Sequence, residues 1–419
     1  MPRAAAVHDS WGPCWSAAAG HDAQGQLLVE KLPGKIERHH LYDLTGELIS
    51  QHYDGAVTDS ATGARSVQPW LAWSLEADAA GQIVHEWSPD GAAFTGMVAG
   101  VQAVAADLTY TYDPAGRLTE VVDQSDEADG TGCRLRTYRF DARGNRLANA
   151  TAAATTGMPC PATPGAETHQ GYDAADRPTT AGDGTVYTYD ALGRQILIPA
   201  VDAPRPESGD VRVPYYDDDA VKAITQAGVS VSYGLDVAGR RTVQTTRRTL
   251  ESTVTESVTN HYVDGSDSPA WVTTSTVQGS STTVYAGLLT GSDVSLSLTT
   301  SGGVTSGELA LANPRGDVSA TITLPADGET VQGLDRWTRY TEYGIPVVTR
   351  PVGTAGVAVT PSTAATTPPT PTPTTPSTNK TPPANGAGCE RSARYCGSTN
   401  GISPSPQLDS YRCSERPLG

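Results

Sequence analysis

Hydrophobic residues alternate with small polar residues over long stretches of the chain, at a period of two. Residues 229–235 place Val, Val, Tyr and Leu at every second position, and residues 294–298 and 318–324 repeat this spacing. A period of two is that of a β-strand whose side chains point alternately to two faces. Helical spacing is scarce, and its best example is a short Ala/Val stretch at 98–106. The pattern therefore predicts an all-β fold with little helix.

One phrase recurs along the chain: aromatic, any residue, aromatic, Asp, two residues, Gly, then Arg or Asn. Its clear copies are YTYDPAGRL at 110–118, YRFDARGNRL at 138–147 and YTYDALGR at 187–194. Weaker copies are LYDLTGEL at 41–48, GYDAADRP at 171–178 and YGLDVAGRR at 233–241. The unit is about twenty residues long, with insertions and a blurred copy between 195 and 232. The chain is therefore predicted to be a repeat array.

A β-hairpin explains the order of residue types within each copy. Tyr110 and Tyr112 are two residues apart, so in a strand they point to the same face. The segment 113–116, Asp-Pro-Ala-Gly, has the residue preferences of a type I turn that closes with a left-handed Gly. The Asp side chain at the first turn position caps backbone donors. The glycines expected at positive φ are Gly116, Gly144 and Gly193, and the capping aspartates are Asp113, Asp141 and Asp190.

These hairpins resemble the YD repeats of the RHS (rearrangement hot spot) family and of the related teneurins. A second match lies downstream, where LANPRGDVSATI at 311–322 is similar to the Asn-Pro-His-Gly-Asp segment near the end of an RHS core. Arg315 stands in this chain where His is common in the family. RWTRYTEYGIP at 336–346 resembles the aromatic-Gly-Pro stretch that follows. The resemblance covers roughly residues 41–346.

The resemblance implies a β-strand ribbon that spirals into a shell around a C-terminal toxin or effector. In the family, the core ends at an Asp-Pro-Gly-type motif with an aspartate-based self-cleavage site. After Pro346 this chain has no such motif, and its last 31 residues are too few for a nuclease or deaminase. We therefore expect a fragment or degenerate member that forms a curved, open sheet with Tyr112 and Tyr189 on its inner face. Its exposed end strands would associate with other YD-repeat chains.

Charge and hydropathy exclude two classes of protein. The chain has 29 basic and 46 acidic residues, a net charge of −17 that repels phosphate backbones, so no nucleic-acid partner is expected. No apolar run reaches the length of a membrane span. The N-terminus shows no apolar core of a secretory signal. A secreted or cell-surface location is thus implied only by the family resemblance.

Composition divides the chain into four regions. We predict a poorly defined N-terminal segment at 1–40, a YD/RHS-repeat β region at 41–350, a disordered Pro/Thr-rich linker at 351–388 and a Cys-containing tail at 389–419. The linker has too little apolar surface to offset the entropy of ordering.

Six cysteines, at positions 14, 133, 160, 389, 396 and 413, form no C-x-x-C motif. We interpret them as unpaired thiols. The alternative is a disulfide among Cys389, Cys396 and Cys413, if the tail meets an oxidising compartment.

Few residues suggest chemistry. The adjacent pair His39-His40 is interpreted as an exposed loop pair ahead of the strand at Leu41, with a metal ligand as the alternative. Asp217-Asp218-Asp219 is interpreted as a solvated turn, with a weak calcium site as the alternative. A catalytic role for the repeat aspartates as carboxylate pairs explains them less well than their turn position. The sequence therefore assigns no catalytic residue, metal site or cofactor.

Three functions are consistent with the sequence. The first is a structural, non-catalytic segment of a YD-repeat β-shell that takes part in a toxin-encapsulating or cell-surface protein. The second is a carbohydrate or cell-surface binding module, in which strand tyrosines with Arg117, Arg146 and Arg194 hold sugar rings, although such aromatic rows more often fill a core. The third is a carrier whose C-terminal toxin payload is missing from this chain.

Overall fold

The fold is all-β, as predicted. The computed structural model of the protein describes residues 11–58, 62–88, 106–125, 131–155, 157–248, 253–287, 294–325, 330–331, 333–351, 389–398 and 410–413. The structure is nearly all β, with 58% strand and 2% helix. The Ala/Val stretch at 98–106 and the linker at 351–388 lie outside the described residues, apart from Ala106 and Pro351 at their ends.

Two large sheets and one small sheet hold the strands. The first sheet has 13 strands: β1 (Trp11–His21), β2 (Leu27–Leu32), β3 (Ile36–Tyr42), β4 (Leu48–Thr58), β5 (Arg65–Ala77), β6 (Ile83–Trp87), β7 (Asp107–Tyr112), β8 (Leu118–Asp123), β9 (Thr131–Phe140), β10 (Arg146–Thr155), β11 (Glu167–His169), β28 (Cys389–Ser398) and β29 (Ser410–Cys413). The small sheet pairs β12 (Gly171–Tyr172) with β13 (Pro178–Thr180).

The second large sheet has 14 strands: β14 (Thr188–Tyr189), β15 (Gln195–Ile198), β16 (Val211–Arg212), β17 (Ala223–Gln226), β18 (Val229–Leu235), β19 (Arg241–Arg248), β20 (Thr253–His261), β21 (Trp271–Thr276), β22 (Gly279–Gly287), β23 (Ser295–Ser301), β24 (Val304–Ala312), β25 (Val318–Leu324), β26 (Arg336–Tyr340) and β27 (Pro346–Pro351). Two short 3-10 helices, Ala200–Asp202 and Pro206–Ser208, lie between β15 and β16. No helix in the described part of the chain has the length and apolar character that a membrane crossing requires.

The strand order follows the chain. From β1 to β11 and from β14 to β27, each strand pairs antiparallel with the next one in sequence. The short strands between residues 167 and 198 continue this pattern through isolated pairings such as Thr180 with Val186. The structure is thus one ribbon of consecutive hairpins, as the repeat predicts.

The two ends of the chain contribute strands that the sequence did not predict. Residues 1–40 include β1, β2 and β3, although the repeat phrase is absent there. In the tail, β28 pairs antiparallel with the outer edge of β1, and β29 pairs with β28. The register aligns Cys14 with Cys396 and Cys389 with Cys413. Periodicity does not reveal such a strand because it is added to an edge more than 350 residues away.

The main core lies where β1–β5 of the first sheet face β23–β26 of the second. Its largest fully buried apolar side chains are Trp70, Tyr53, Ile36, Leu71, Leu296, Leu309, Leu311 and Ile322. The period-two pattern at 318–324 is confirmed for Ala320, Ile322 and Leu324, which are buried. Val318 is exposed because a register shift in the pairing of β24 with β25 separates it from that face. Gly55 allows the indole of Trp70 to lie where a Cβ would approach within 2.1 Å of the ring.

A disulfide joins Cys133 on β9 to Cys160 in the loop after β10. The interpretation of the cysteines as unpaired thiols is therefore wrong for these two. They are 27 residues apart, and the pairing of β9 with β10 brings their Cα atoms to 5.3 Å. Sequence spacing alone does not reveal the pair because the hairpin register is needed to align them.

The glycine prediction is confirmed. Gly116, Gly144 and Gly193 have φ angles of 77°, 96° and 83°. A Cβ at Gly144 would meet no atom within 4 Å, so backbone conformation alone requires glycine there.

Replacing Gly144 with valine should therefore destabilise the fold by roughly 1–2 kcal/mol, the cost of a left-handed conformation in a residue with a side chain. Gly265→Val is the matched control, because Gly265 is equally open but has an ordinary φ. Chemical denaturation of the full chain measures both. Equal losses in the two variants would contradict the turn assignment.

Candidate functional site: the turn ladder and the seam

The turns of the hairpins share one hydrogen-bond pattern, shown by the turn at Asp113. The amide of Asp113 donates to the carbonyl of Arg117 at 2.9 Å, and the amide of Gly116 donates to the carbonyl of Asp113 at 2.9 Å. The Oδ1 atom of Asp113 accepts from the amides of Ala115 and Arg117 at 2.9 and 3.0 Å. The same bonds form in the turns that begin at Asp22, Asp43, Asp78, Asp141, Asp173, Asp190, Asp236 and Asn313.

Sequence reasoning found most of these turns, missed two, and recognised the segment at 313–316 only as a family resemblance and not as a turn. The turns at Asp22 and Asp78 lack the preceding Tyr or Phe, and only their Asp-x-x-Gly spacing could have revealed them. The blurred copy between 195 and 232 is the turn at Tyr216, in which Asp219 takes the glycine position with a φ of 67°. The carboxylate run 217–219 therefore lies in a turn, and Asp219 accepts a hydrogen bond from Arg194 at 3.0 Å.

The turn aspartates are held in their ionised form. The hydrogen bond from the Arg117 side chain, together with turn amides, keeps the pKa of Asp113 below its usual value. The side chain of Asn145 and turn amides lower the pKa of Asp141, and the backbone and side chain of Arg194 lower that of Asp190. The donors of the turn thus occupy these carboxylates, as the capping interpretation requires.

In six of the turns, the residue that follows the turn glycine donates a hydrogen bond to the next turn. Arg117 Nη1 donates to the carbonyl of Asp141 at 2.6 Å, while its Nε donates to Asp113 Oδ2 at 2.7 Å. Arg194 reaches the carbonyl of Tyr216 at 2.9 Å in the same way. Further forward bonds run from Arg240 to Asp264, from Gln26 to Gly46, from Gln82 to Gly116 and from Asn145 to Asp176. These six turns are therefore tied to their successors along the ribbon.

Six tyrosines that precede a turn reach back to the previous hairpin. The hydroxyl of each donates to a backbone carbonyl just after the preceding turn. The acceptor is always the second residue after the one with positive φ, as Ile83 is after Gly81. The pairs are Tyr112 with Ile83, Tyr172 with Arg146, Tyr189 with Pro178, Tyr215 with Gln195, Tyr262 with Arg241 and Tyr340 with Val318, at 2.8–3.3 Å. Forward and backward bonds together connect consecutive repeats in both directions.

Arginines that follow the positive-φ residue of a turn also pack on the aromatic rings of the next repeat. The guanidinium of Arg117 lies 5.2 Å from the ring centroid of Phe140, and that of Arg240 lies 4.4 Å from Tyr262. Arg177 packs on Tyr189, and Arg194 on Tyr215. We call this set of turn, forward, backward and ring contacts the turn ladder. Its tyrosines and arginines are engaged with one another, so the sugar-binding alternative gains no support from them.

A second group of contacts joins the two large sheets, and we call it the seam. At its centre, Gln51 Nε2 and the hydroxyl of Tyr53 both donate to the carbonyl of Ala312, at 2.8 and 2.9 Å. These side chains are buried. The seam therefore begins where the Asn-Pro-Arg-Gly turn at 313–316 meets the first sheet.

Arg315 extends the seam into the repeats. It donates to Glu86 Oε2 and to the hydroxyl of Tyr110, and its guanidinium lies 5.2 Å from the Tyr110 ring centroid. Burial, followed by the Glu86 carboxylate, raises the pKa of Tyr110 far above its usual value. Tyr112 packs on the same apolar cluster as Tyr110, which confirms that the two tyrosines share a face.

A charged network completes the seam. The Glu342 carboxylate accepts from Arg136 Nε at 3.0 Å and from the hydroxyl of Tyr138. Asp123 accepts from Arg136 at 3.1 Å and from Arg339 at 2.9 Å. Burial would raise the pKa of Asp123, but the Arg339 and Arg136 guanidinium groups hold it below its usual value. Each buried carboxylate thus faces a cation from the other sheet or from a neighbouring strand.

A small cavity lies beside the seam, between Trp73 and Trp337. Its charged lining residues include Glu86 and Arg315, which bind each other. The cavity therefore belongs to the packing of the seam.

Residues 78–131 match the family profile described as RHS Repeat, a segment that contains the turns at Asp78 and Asp113. This segment is an RHS repeat. The RHS interpretation of the sequence is thereby confirmed for it. No curated protein matches the chain.

Solved structures give a weaker likeness. A crystal structure titled TcdB2-TccC3-Cdc42 is 14% identical, with a TM-score of 0.38, over 80% of this chain. A structure of the Photorhabdus luminescens Tc holotoxin pore with a mutation in TccC3 is 13% identical, with a TM-score of 0.40, also over 80% of this chain. The chain spans only 18% of the length of either matched chain.

The histidine pair occupies a different place from the one expected. His39 and His40 lie within β3, not in a loop before the strand. The turn that precedes β3 is at residues 33–35, so the strand begins at Ile36. His39 faces His52 across the ladder, which sequence spacing did not indicate.

Glu342 should contribute to the stability of the fold, because its carboxylate binds a buried arginine of the seam. Glu342→Ala should destabilise the fold by roughly 3 kcal/mol, because it leaves the buried Arg136 without one of its partners. Glu167→Ala is the matched control: it removes an exposed ion pair with Arg139 at 2.9 Å and should cost less than about 1 kcal/mol. Denaturation curves of the two variants test this, and similar losses would show that the seam charges contribute no more than a surface pair.

Proposed function

We propose that this protein is a structural, non-catalytic RHS-repeat β segment that acts within a toxin-encapsulating or cell-surface assembly. The observation that carries the proposal is the use of its polar groups. The Tyr and Arg side chains of the repeat bind neighbouring repeats, and the buried charges of the seam bind across the two sheets. Polar side chains that bind neighbouring repeats and the facing sheet support a structural role for the chain.

The open edge of the second sheet supports a role in a larger assembly. The sheet ends at β27, and no described strand pairs with the outer side of that strand. At the opposite end of the ribbon, β28 and β29 cover the edge of β1. An exposed sheet edge is a template for strand addition by another chain. The partner proposed here is another YD-repeat chain or a chain that carries a toxin payload, added at β27.

The disulfide between Cys133 and Cys160 supports an exported location. Disulfides persist in oxidising compartments and are rare in reducing ones. The proposed location is therefore outside the cytosol, in a secreted or cell-surface protein.

Purification from the producing cells under native conditions tests the proposal. The full chain should co-purify, at a fixed stoichiometry by native mass spectrometry, with a chain that contains YD repeats or a toxin domain. Glu342→Ala should weaken the complex, and Glu167→Ala should not. A stable monomer that binds sugars on a glycan array, or that turns over a substrate, would contradict the proposal.

A further inference from the structure

Four side chains with metal-binding atoms form a square on one face of the first sheet. Glu37 and His39 lie two residues apart on β3, and His52 and Asp54 lie two residues apart on β4. The register pairs Glu37 with Asp54 and His39 with His52, so all four residues project from the same face. Their neighbours Gln51 and Tyr53 point to the opposite face, into the seam.

The donor atoms of this square are already close together. His39 Nε2 and His52 Nε2 each lie 3.7 Å from Asp54 Oδ2, and His39 Nε2 lies 3.4 Å from Glu37 Oε2. The two imidazole rings stack with centroids 4.8 Å apart. One donor atom from each of His39, His52 and Asp54 lies within 4.8 Å of the others. Ligands of tetrahedral zinc are about 3.3 Å apart when the bonds are about 2.0 Å, so small side-chain rotations would complete the site.

One carboxylate oxygen of the square lacks a hydrogen-bond donor among the described residues. Asp54 Oδ1 is buried and has no hydrogen-bond partner among the described residues. A buried carboxylate oxygen without a partner is costly. The other oxygen, Oδ2, faces the imidazoles, so a cation bound by both oxygens of Asp54 would satisfy Oδ1. The residues that flank the square across the ladder are Val29 beside His39 and Ala72 beside His52. These apolar neighbours offer no competing charge, and the side chains of His39 and His52 remain 32% and 37% exposed, so an ion from solvent can reach them.

The donor set selects the type of cation. Two imidazoles with one or two carboxylates suit zinc and similar transition metals, whereas calcium and magnesium prefer oxygen ligands alone. Lys31 lies opposite Glu37 in the register and competes for that carboxylate. The principal ligands are therefore His39, His52 and Asp54, and either Glu37 or water takes the fourth position.

We propose that His39, His52 and Asp54 form a zinc-type metal site that links β3 to β4. The ion would act as a cross-link between neighbouring strands at the start of the ribbon. No reaction is assigned to it.

Isothermal titration calorimetry with zinc chloride tests the site. The full chain is first freed of metal with a chelator, and its free thiols are alkylated so that cysteines do not bind the ion. One zinc ion per chain should bind. His39→Asn and His52→Asn should each weaken binding by about 100-fold or more, because loss of a mere outer-shell partner already costs 10–100-fold. Circular dichroism should show an unchanged fold.

His85 offers the matched control. It stacks on Trp87 and binds Asp107 at 2.9 Å, in the same sheet and with similar exposure, but no second histidine of the described residues completes a metal-binding group with it. His85→Asn should leave zinc affinity unchanged. Cobalt added in place of zinc should give the intense visible absorption of a tetrahedral site, and His39→Asn should remove it. Absence of zinc binding in the unaltered protein, or equal affinity in His39→Asn and His85→Asn, would overturn the proposal.

Discussion

The fold depends on the side-chain hydrogen bonds that link consecutive turns along the ribbon. A hairpin of this size is marginal alone, because its few backbone bonds barely offset the entropy of closing the turn. Arg117 adds two hydrogen bonds to this balance. One binds Asp113 in its own turn, and the other binds the carbonyl of Asp141 in the next turn. The tyrosine hydroxyls add bonds in the reverse direction. Each repeat is therefore stabilised by its neighbours, as nearest-neighbour models of repeat proteins require.

The seam performs a different task, because the ladder only connects hairpins along the ribbon. Ala312 and Arg315 lie in the downstream block of the chain and bind Gln51, Tyr53 and Glu86 in the first sheet. The ribbon is thereby folded back on itself over an apolar core, while the edge at β27 stays open in the described part of the chain. Buried charges such as those at Glu342 favour one register of the two sheets over others, since a shifted pairing would leave them unpaired. The ladder thus builds the array, and the seam fixes how its two halves meet.

Local features were predictable from the sequence, and features that depend on register were not. The turns at Asp113, Asp141 and Asp190 follow from turn chemistry, because four adjacent residues determine them. The forward bond of Arg117 does not, since its acceptor lies 24 residues away and becomes a neighbour only when strands pair. Arg136 and Glu342 are separated by 206 residues, and the square around His39 needs the register of β3 against β4. In these cases the residue types are visible in the sequence but their partners are not.

Hydrogen exchange at single-amide resolution tests the coupling between repeats most directly. In Arg117→Ala, the amides of Arg143, Gly144 and Asn145 should exchange several-fold faster, although none of them belongs to the hairpin that was changed. Arg117→Gln is the control, because Gln82 occupies the same position in its own repeat and still reaches the next turn, at 3.1 Å. Its exchange at 143–145 should stay close to that of the unaltered protein. Faster exchange confined to residues 113–117 in both variants would contradict the account, since each hairpin would then be stable without its neighbour.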